Sequence, residues 1–97
     1  MGLIHYEKDF DSLISDSAVV DFYADWCGPC KMFGPVFEEV SSEQKMNFVK
    51  LNVDNYSDIA RQYGVMSIPT VILFKDGKEI KRNTGFMSKD DFVKFLN

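Results

Sequence analysis

The sequence predicts an α/β domain in which a central mixed sheet of about five strands is flanked by about four helices. Strand-like and helix-like segments alternate along the chain in the order β-α-β-α-β-α-β-β-α, which is typical of a sheet with helices on its faces. Near the end, the strand segments 70–75 and 79–84 flank Asp76-Gly77, a pair that favours a tight turn between antiparallel strands. We therefore expect parallel strands first and an antiparallel hairpin last.

The first half of the chain reads as strand, helix, strand and helix. Residues 3–6 form a short candidate strand, and Asp9 is the candidate N-cap of a helix whose apolar residues share one face. Residues 18–24 are almost continuously apolar, which suits a strand buried on both faces. Apolar residues then recur at spacings of three and four over residues 27–42. This spacing predicts a second helix, which Pro35 should bend.

The second half supplies the remaining elements. Residues 47–53 alternate between apolar and polar side chains and are predicted to form a strand. Asn55 can cap a short helix that Gly64 would end. After the hairpin, Ser88 can cap a last helix that carries an apolar stripe.

The composition indicates one globular domain with neither a nucleic-acid nor a membrane partner. The 97 residues are the size of one domain, so we expect a single domain over residues 1–97. Eleven basic and 15 acidic residues give a net charge of −4 without a basic cluster, which disfavours binding to phosphate backbones. No apolar run approaches the ~20 residues of a membrane-spanning helix. We see no signal peptide, so we expect a cytoplasmic protein, and one that is a monomer.

The motif that carries chemistry is Trp26-Cys27-Gly28-Pro29-Cys30, at the start of the second predicted helix. Unpaired backbone N–H groups at a helix N-terminus favour a thiolate, so the pKa of Cys27 should fall below the ~8.5 of a free thiol. Cys30 lies one turn later, faces inward and is near enough to form a disulfide with Cys27. We therefore predict dithiol–disulfide exchange at this pair.

Other roles for two cysteines fit the sequence less well. A zinc site needs four ligands, and only His5 is left as a good one. Haem attachment needs histidine after the second cysteine, where Lys31 stands. Iron–sulfur ligation would need more thiolates, and a purely structural buried pair is the remaining alternative. We interpret His5 as a strand histidine with no catalytic role.

At these residues the sequence resembles the thioredoxin family. The family's active-site motif, Trp-Cys-Gly-Pro-Cys-Lys, is complete at residues 26–31. The resemblance covers essentially the whole chain in the same order, through Asp21-Phe22, Pro35, residues 50–54, 64–65, 68–70 and 74–77, and Gly85. It implies the thioredoxin fold and protein-disulfide reductase activity. Gly-Pro between the cysteines favours this family over glutaredoxins and disulfide isomerase domains.

The resemblance implies roles for two polar residues of the sheet. Asp21 lies between apolar neighbours and matches the buried aspartate that accepts and donates the proton of Cys30; a solvated carboxylate is the alternative. Lys50 matches the lysine that pairs with this aspartate, although a surface lysine with its stem along the sheet would also fit. We expect burial to raise the pKa of Asp21, with no cation in direct contact with the carboxylate.

The resemblance also implies a substrate-binding surface around Cys27, here called the substrate platform. Its expected members are Trp26, Gly28, Pro29, Ile68, Pro69, Gly85 and Phe86. A cis peptide before Pro69 should lie opposite the cysteines and pair with extended substrate, although a proline can simply begin a strand. Phe86 replaces a small residue and, with Met66, would extend the platform, unless Phe86 packs under the last helix. Tyr23 replaces a tryptophan, which should change packing below the active site without removing it.

For its partners, the resemblance implies client proteins that contain disulfides and a flavin-containing thioredoxin reductase. The chain itself would bind no cofactor and would receive electrons from NADPH through that reductase. A redox-regulated binding module that grips a partner with the surface of Trp26 and Pro69 is the alternative function. A disulfide isomerase or oxidant is a third, which the Gly-Pro pair and the absence of a signal peptide disfavour. Both cysteines are present together with Asp21 and Lys50, and this complete set favours the reductase.

Overall fold

The computed structural model describes residues 2–97, over which a mixed five-stranded sheet carries helices on both faces. The elements are β1 (Gly2–His5), α1 (Phe10–Leu13), β2 (Ser17–Tyr23), α2 (Gly28–Ser41), β3 (Asn47–Asn52), α3 (Ser57–Gln62), β4 (Thr70–Lys75), β5 (Lys78–Thr84) and α4 (Lys89–Leu96). The predicted fold class and element order are confirmed. Across residues 2–97, no helix has the length and apolar character needed to cross a membrane.

The strands are ordered β1-β3-β2-β4-β5 across the sheet. β3 runs parallel to β1 and to β2, whereas β4 runs antiparallel to β2 and to β5. The central strand is β2, whose five inner residues are all buried, as its apolar run predicts. β5 forms one edge, and all but one of its residues are exposed.

Alternate residues of β2 supply two hydrophobic cores, one on each face of the sheet. Val20 and Phe22 belong to the core that α1 and α3 cover. Val19 belongs to the opposite core, which is largely aromatic and is covered by α2 and α4; its phenylalanines are Phe33, Phe37, Phe48 and Phe92. Since strand side chains alternate, Asp21 and Tyr23 share the face of Val19 and point toward α2. This alternation positions the functional site described below.

Of the predicted helix N-caps, Asp9 has the predicted position but lacks the capping hydrogen bond, and Asn55 is wrong. Asp9 precedes α1, but its backbone is left-handed with φ 64°, and its side chain makes no capping hydrogen bond. Side-chain capping requires an extended N-cap residue. Asn55 does not cap α3, because Asn52 stabilises the turn before the helix. The Asn52 side chain accepts the Asp54 N–H at 2.9 Å, and its backbone carbonyl accepts the Tyr56 N–H at 3.1 Å. Tyr56 is therefore the N-cap of α3.

The other predicted ends are confirmed. Ser88 Oγ accepts the backbone N–H of Asp91 at 3.2 Å and caps α4. Gly64 follows α3 with φ 65°, a left-handed conformation that suits glycine at a helix end. Asp76 and Gly77 both have positive φ, 54° and 81°, as a tight hairpin turn requires.

Candidate active site

The two cysteines lie at the N-terminus of α2, where Cys27 is the N-cap and is joined to Cys30 by a disulfide. The backbone of Cys27 is extended, and its Sγ accepts the backbone N–H of Cys30 at 3.2 Å. Both residues are buried, with exposed fractions of 5% and 3%. The first turn of α2 thus directs an N–H group at the Cys27 sulfur, which favours a thiolate there once the disulfide is reduced.

Opposite the disulfide lies the Ile68–Pro69 peptide, which is cis, as the resemblance implies. Cys27 Sγ is 3.7 Å from the carbonyl oxygen of Ile68. The Gly85 N–H donates to the Pro69 carbonyl at 2.7 Å, with Gly85 in a positive-φ conformation of 103° that favours glycine. This bond ties the loop after β5 to the backbone that faces the cysteines.

Trp26 precedes the cysteines and is 70% exposed. Its indole Nε1–H donates to Asp54 Oδ2 at 3.0 Å. The sequence interpretation missed Asp54, whose one signal is its position just after β3; parallel strands bring their carboxyl ends to the same edge. Gly28 and Pro29 are also exposed beside the disulfide.

An apolar cavity of about 460 Å³ lies beside Cys27. No charged side chain contributes to its wall, which includes Trp26, Pro29, Val53, Val65, Met66 and Ile68. Met66 is 94% exposed. Phe86 lies outside this cavity; it is 45% exposed and its ring stands edge-on to Phe33 with 6.4 Å between centroids. The structure therefore places Met66 and Phe86 in different parts of the expected platform.

Asp21 is completely buried behind the site, and neither of its carboxylate oxygens has a hydrogen-bond partner. Burial raises the pKa of Asp21 to about 6, and the positive charge of Lys50 limits this rise. The rise agrees with our expectation, but the expectation that no cation contacts the carboxylate is wrong. Lys50 Nζ lies 3.7 Å from Asp21 Oδ2 because the register of β2 and β3 sets the two residues directly side by side.

A second, charged cavity of about 630 Å³ lies beside Cys30. Besides Cys30 and Lys50, its wall includes His5, Tyr23, Asp25, Lys31 and Glu38. Lys50 therefore lies between the buried carboxylate of Asp21 and a cavity whose wall also includes Cys30. Among the described residues, no group of three or more His, Cys, Asp or Glu side chains is arranged to hold a metal ion.

The sequence interpretation also missed the contact between Tyr23 and Lys50. The ammonium nitrogen of Lys50 lies 4.4 Å from the centroid of the Tyr23 ring. Burial, followed by the charge of Asp25, raises the pKa of Tyr23, so the phenol stays neutral at physiological pH. The available signal was the strand period of two, which puts Tyr23 on the same face as Asp21.

Comparison with known sequences gives one consistent family. The sequence model of the Thioredoxin family matches residues 2–97. A thioredoxin of Chlamydia muridarum is 49% identical over 96 residues, covering 98% of this chain and 94% of its own. A thioredoxin of Mycoplasmoides gallisepticum is 47% identical over 99 residues and covers 99% of each chain.

Solved structures show the same similarity. A mutant thioredoxin from Halobacterium salinarum superposes with a TM-score of 0.92 at 32% identity, covering 98% of this chain and 88% of that one. Reduced thioredoxin pre-protein from Schistosoma mansoni gives a TM-score of 0.88 at 33% identity, with 99% and 96% covered. The likeness thus extends over the full length of the described fold.

Proposed function

Because the chain belongs to the thioredoxin family and is a thiol-disulfide oxidoreductase, we propose that it reduces the disulfides of client proteins and is reduced again by a thioredoxin reductase. The observation that carries the proposal is the position of Cys27, which caps α2, is bonded to Cys30 and borders the apolar cavity. We propose further that residues 1–97 act as one domain and as a monomer.

The first step is attack by the reduced Cys27. Its thiolate, favoured by the N–H groups of α2, attacks one sulfur of the client disulfide and releases the other client sulfur as a thiolate. A mixed disulfide between Cys27 and the client results. The extended client would lie along the backbone of Ile68 and Pro69, because the Ile68 carbonyl is only 3.7 Å from Cys27 Sγ. The rest of the platform would be formed by Trp26, Gly28, Pro29, Gly85 and Phe86.

The second step releases the client. Cys30 loses its proton with the help of Asp21, and its thiolate attacks Cys27 Sγ, so that the intramolecular disulfide forms and the second client thiolate leaves. Over the two steps the client gains two electrons and the chain loses two. A carboxylate with a pKa of about 6 suits this role because it is ionised at neutral pH but basic enough to accept a proton. We assign Lys50 the role of stabilising the ionised form.

The cycle requires electrons from outside the chain. We propose that NADPH supplies them through the reductase, with no cofactor bound to the chain itself. The reductase would attack the Cys27–Cys30 disulfide over the same platform that clients use. A reducing compartment such as the cytoplasm suits this direction of electron flow.

The test is a coupled assay with a thioredoxin reductase, NADPH and a disulfide-bonded protein. We expect sustained NADPH oxidation that depends on the chain and on the client, and none with Cys27→Ser. If NADPH is not consumed while the chain reduced by dithiothreitol still reduces the client, the proposed recycling by a thioredoxin reductase is wrong. If the reduced chain leaves the client disulfide intact, the proposed protein-disulfide reductase activity of the chain is wrong.

A redox-regulated binding module would use the same exposed Trp26 and the same apolar cavity. Such a protein would need neither the resolving thiol nor a buried carboxylate beside it. The presence of Cys30, Asp21 and Lys50 in one region therefore favours turnover over binding alone.

A further inference from the structure

We propose that Tyr23 is a positioning residue for the proton step, in which its ring holds the Lys50 ammonium beside the Asp21 carboxylate through a cation–π contact. The inference rests on the proposed role of Asp21 as the proton acceptor of Cys30. From the sequence, Tyr23 was expected only to change the packing below the active site.

The register of the sheet brings the three side chains together. Lys50 is paired with Asp21 across β2 and β3, and Tyr23 is two residues after Asp21, on the same face. Lys50 Nζ lies 3.7 Å from Asp21 Oδ2 and 4.4 Å from the centre of the Tyr23 ring. On the side of α2, a Cβ at Gly34 would lie 3.5 Å from the same nitrogen. The ammonium is thus bounded by a carboxylate, an aromatic face and a helix backbone.

The carboxylate alone does not fix the position of the lysine. At 3.7 Å from Asp21 Oδ2, Lys50 Nζ is beyond ordinary hydrogen-bond distance, so the attraction between the two groups is mainly between charges and only weakly directional. The lysine side chain is long and still 14% exposed, and the charged cavity offers it other partners in Asp25 and Glu38. An aromatic face attracts an ammonium within about 6 Å of its centroid. The Tyr23 ring therefore favours the inward position of Lys50 over an outward one.

Two further basic side chains and the Tyr23 phenol lie near Lys50. His5 and Lys31 also line the charged cavity; both side chains are basic, so neither offers Lys50 a negative charge. The Tyr23 phenol stays neutral, since burial and then Asp25 raise its pKa. Attraction between Tyr23 and Lys50 thus comes from the ring face and not from a phenolate.

The experiment measures the pKa of Asp21 by carboxylate NMR titration in the oxidised protein, where neither cysteine titrates. Tyr23→Leu should let Lys50 move outward, remove positive charge from the carboxylate and raise the Asp21 pKa by roughly half a pH unit. Simple opening of the structure to water would instead lower it. Should the leucine variant fail to fold, Tyr23→Ile, which favours a strand, takes its place.

Three further variants make the result specific. Tyr23→Phe keeps the ring and should keep the Asp21 pKa of the parent protein. Tyr56→Leu removes another half-buried tyrosine, one that packs against Tyr6, and should not shift the Asp21 pKa. In a Lys50→Gln background, Tyr23→Leu should have no further effect. An unchanged or lowered Asp21 pKa in Tyr23→Leu, or an equal shift in the Lys50→Gln background, overturns the inference.

A kinetic measurement separates this inference from the function on which it rests. The rate at which Cys30 resolves a preformed mixed disulfide, followed against pH, should shift upward in pH for Tyr23→Leu together with the Asp21 pKa. If the Asp21 pKa moves as expected while the resolution profile of Tyr23→Leu and of Asp21→Asn matches the parent, Tyr23 positions Lys50 but Asp21 is not the proton acceptor. The proposed function would then need a different base.

Discussion

The two cysteines face surroundings of opposite character. The cavity beside Cys27 is walled by apolar side chains such as Trp26 and Met66 and by no charged ones. The cavity beside Cys30 contains the charged side chains of Lys50, Asp25, Lys31 and Glu38. Only two residues, Gly28 and Pro29, lie between the two cysteines along the chain, and the two sulfurs are bonded to each other. The start of α2 therefore lies between an apolar cavity on the side of Cys27 and a charged cavity on the side of Cys30.

This difference separates two tasks of the exchange reaction. Binding of a client protein before attack is favoured by an apolar surface, because apolar area removed from water contributes most to such binding. Resolution requires proton movement, which needs titratable groups with shifted pKa values. We infer that substitutions near Cys27 will alter the KM for clients, whereas substitutions near Cys30 will alter resolution and its pH dependence.

The largest effect should come from exchanging the cysteines for serine. Cys27→Ser should abolish turnover, whereas Cys30→Ser should leave attack intact and accumulate mixed disulfides with clients, because the resolving thiol is missing. Alkylation of the reduced protein near neutral pH, followed by peptide mass spectrometry, should label Cys27 before Cys30. Equal labelling rates would contradict the argument from the helix N-terminus.

Asp21→Asn should slow the resolving step by roughly 100-fold or more, since a positioned general base is lost. The measurement is the single-turnover rate of client release from a preformed mixed disulfide. The matched control is Asp25→Asn, an exposed carboxylate of the same cavity, which should leave this rate nearly unchanged. If the Asp21→Asn protein releases client at the parent rate, Asp21 is not the proton acceptor of Cys30.

The same Asp21→Asn substitution should raise stability in a pH-dependent way. The carboxyl has a pKa of 3.8 as its ordinary value and about 6 when folded, so the folded state binds more protons between these values. The free energy of unfolding of the parent protein therefore falls as pH rises from about 4 to 6 and stays lower above that. Urea unfolding should show a gain for the variant of up to roughly 3 kcal/mol at pH 8 and little at pH 3.5. An equal gain at both pH values would point to packing instead of ionisation.

Met66→Glu tests whether the apolar cavity beside Cys27 binds clients. A charge in the apolar cavity should raise the KM for a protein disulfide about fivefold with kcat nearly unchanged. Met32→Glu is the control, because Met32 is also exposed, at 63%, but does not line that cavity. A small disulfide that cannot fill the cavity should be reduced by both variants at the parent rate. A fall in kcat without a change in KM would count against a binding role for the cavity.

Phe86→Ala should have the smallest effect. Because Phe86 is 45% exposed and touches Phe33 only edge-on, stability should fall by about 1 kcal/mol, below the ~3–5 kcal/mol of a buried phenylalanine. If the residue belongs to the platform, the KM for a protein disulfide should rise about two- to threefold. Ile80→Ala, on the exposed edge strand, is the matched surface control. A stability loss in the range of a core residue would make Phe86 part of the core and not of the platform.

Patterns within single segments were enough to predict the elements and the reactive pair. The apolar run of β2, the Asp76-Gly77 turn and the Ser88 cap are local signals, and each has the predicted structure. Asp9 has the predicted N-cap position, but its side chain makes no capping hydrogen bond because its backbone is left-handed, a property that residue type does not determine. The cap at Asn55 failed because Asn52 holds the turn before it.

Contacts between segments were harder to predict. The bond from Trp26 to Asp54 and the contact of Lys50 with Tyr23 join residues that meet only when β2 and β3 adopt their register. A one-residue shift in register would turn every side chain of a strand to the other face. The resemblance implied that Lys50 pairs with Asp21. The distance between the two side chains also depends on the register, so only the folded sheet gives it.

The exposed edge strand β5 bears on how the protein avoids aggregation. An edge strand offers unpaired N–H and C=O groups that can template pairing with another chain. Along β5, four of the seven residues are charged, namely Lys78, Glu79, Lys81 and Arg82. Two copies that paired through this edge would have to desolvate these charges and bring several cations close together. β5 is therefore a poor nucleus for intermolecular sheets.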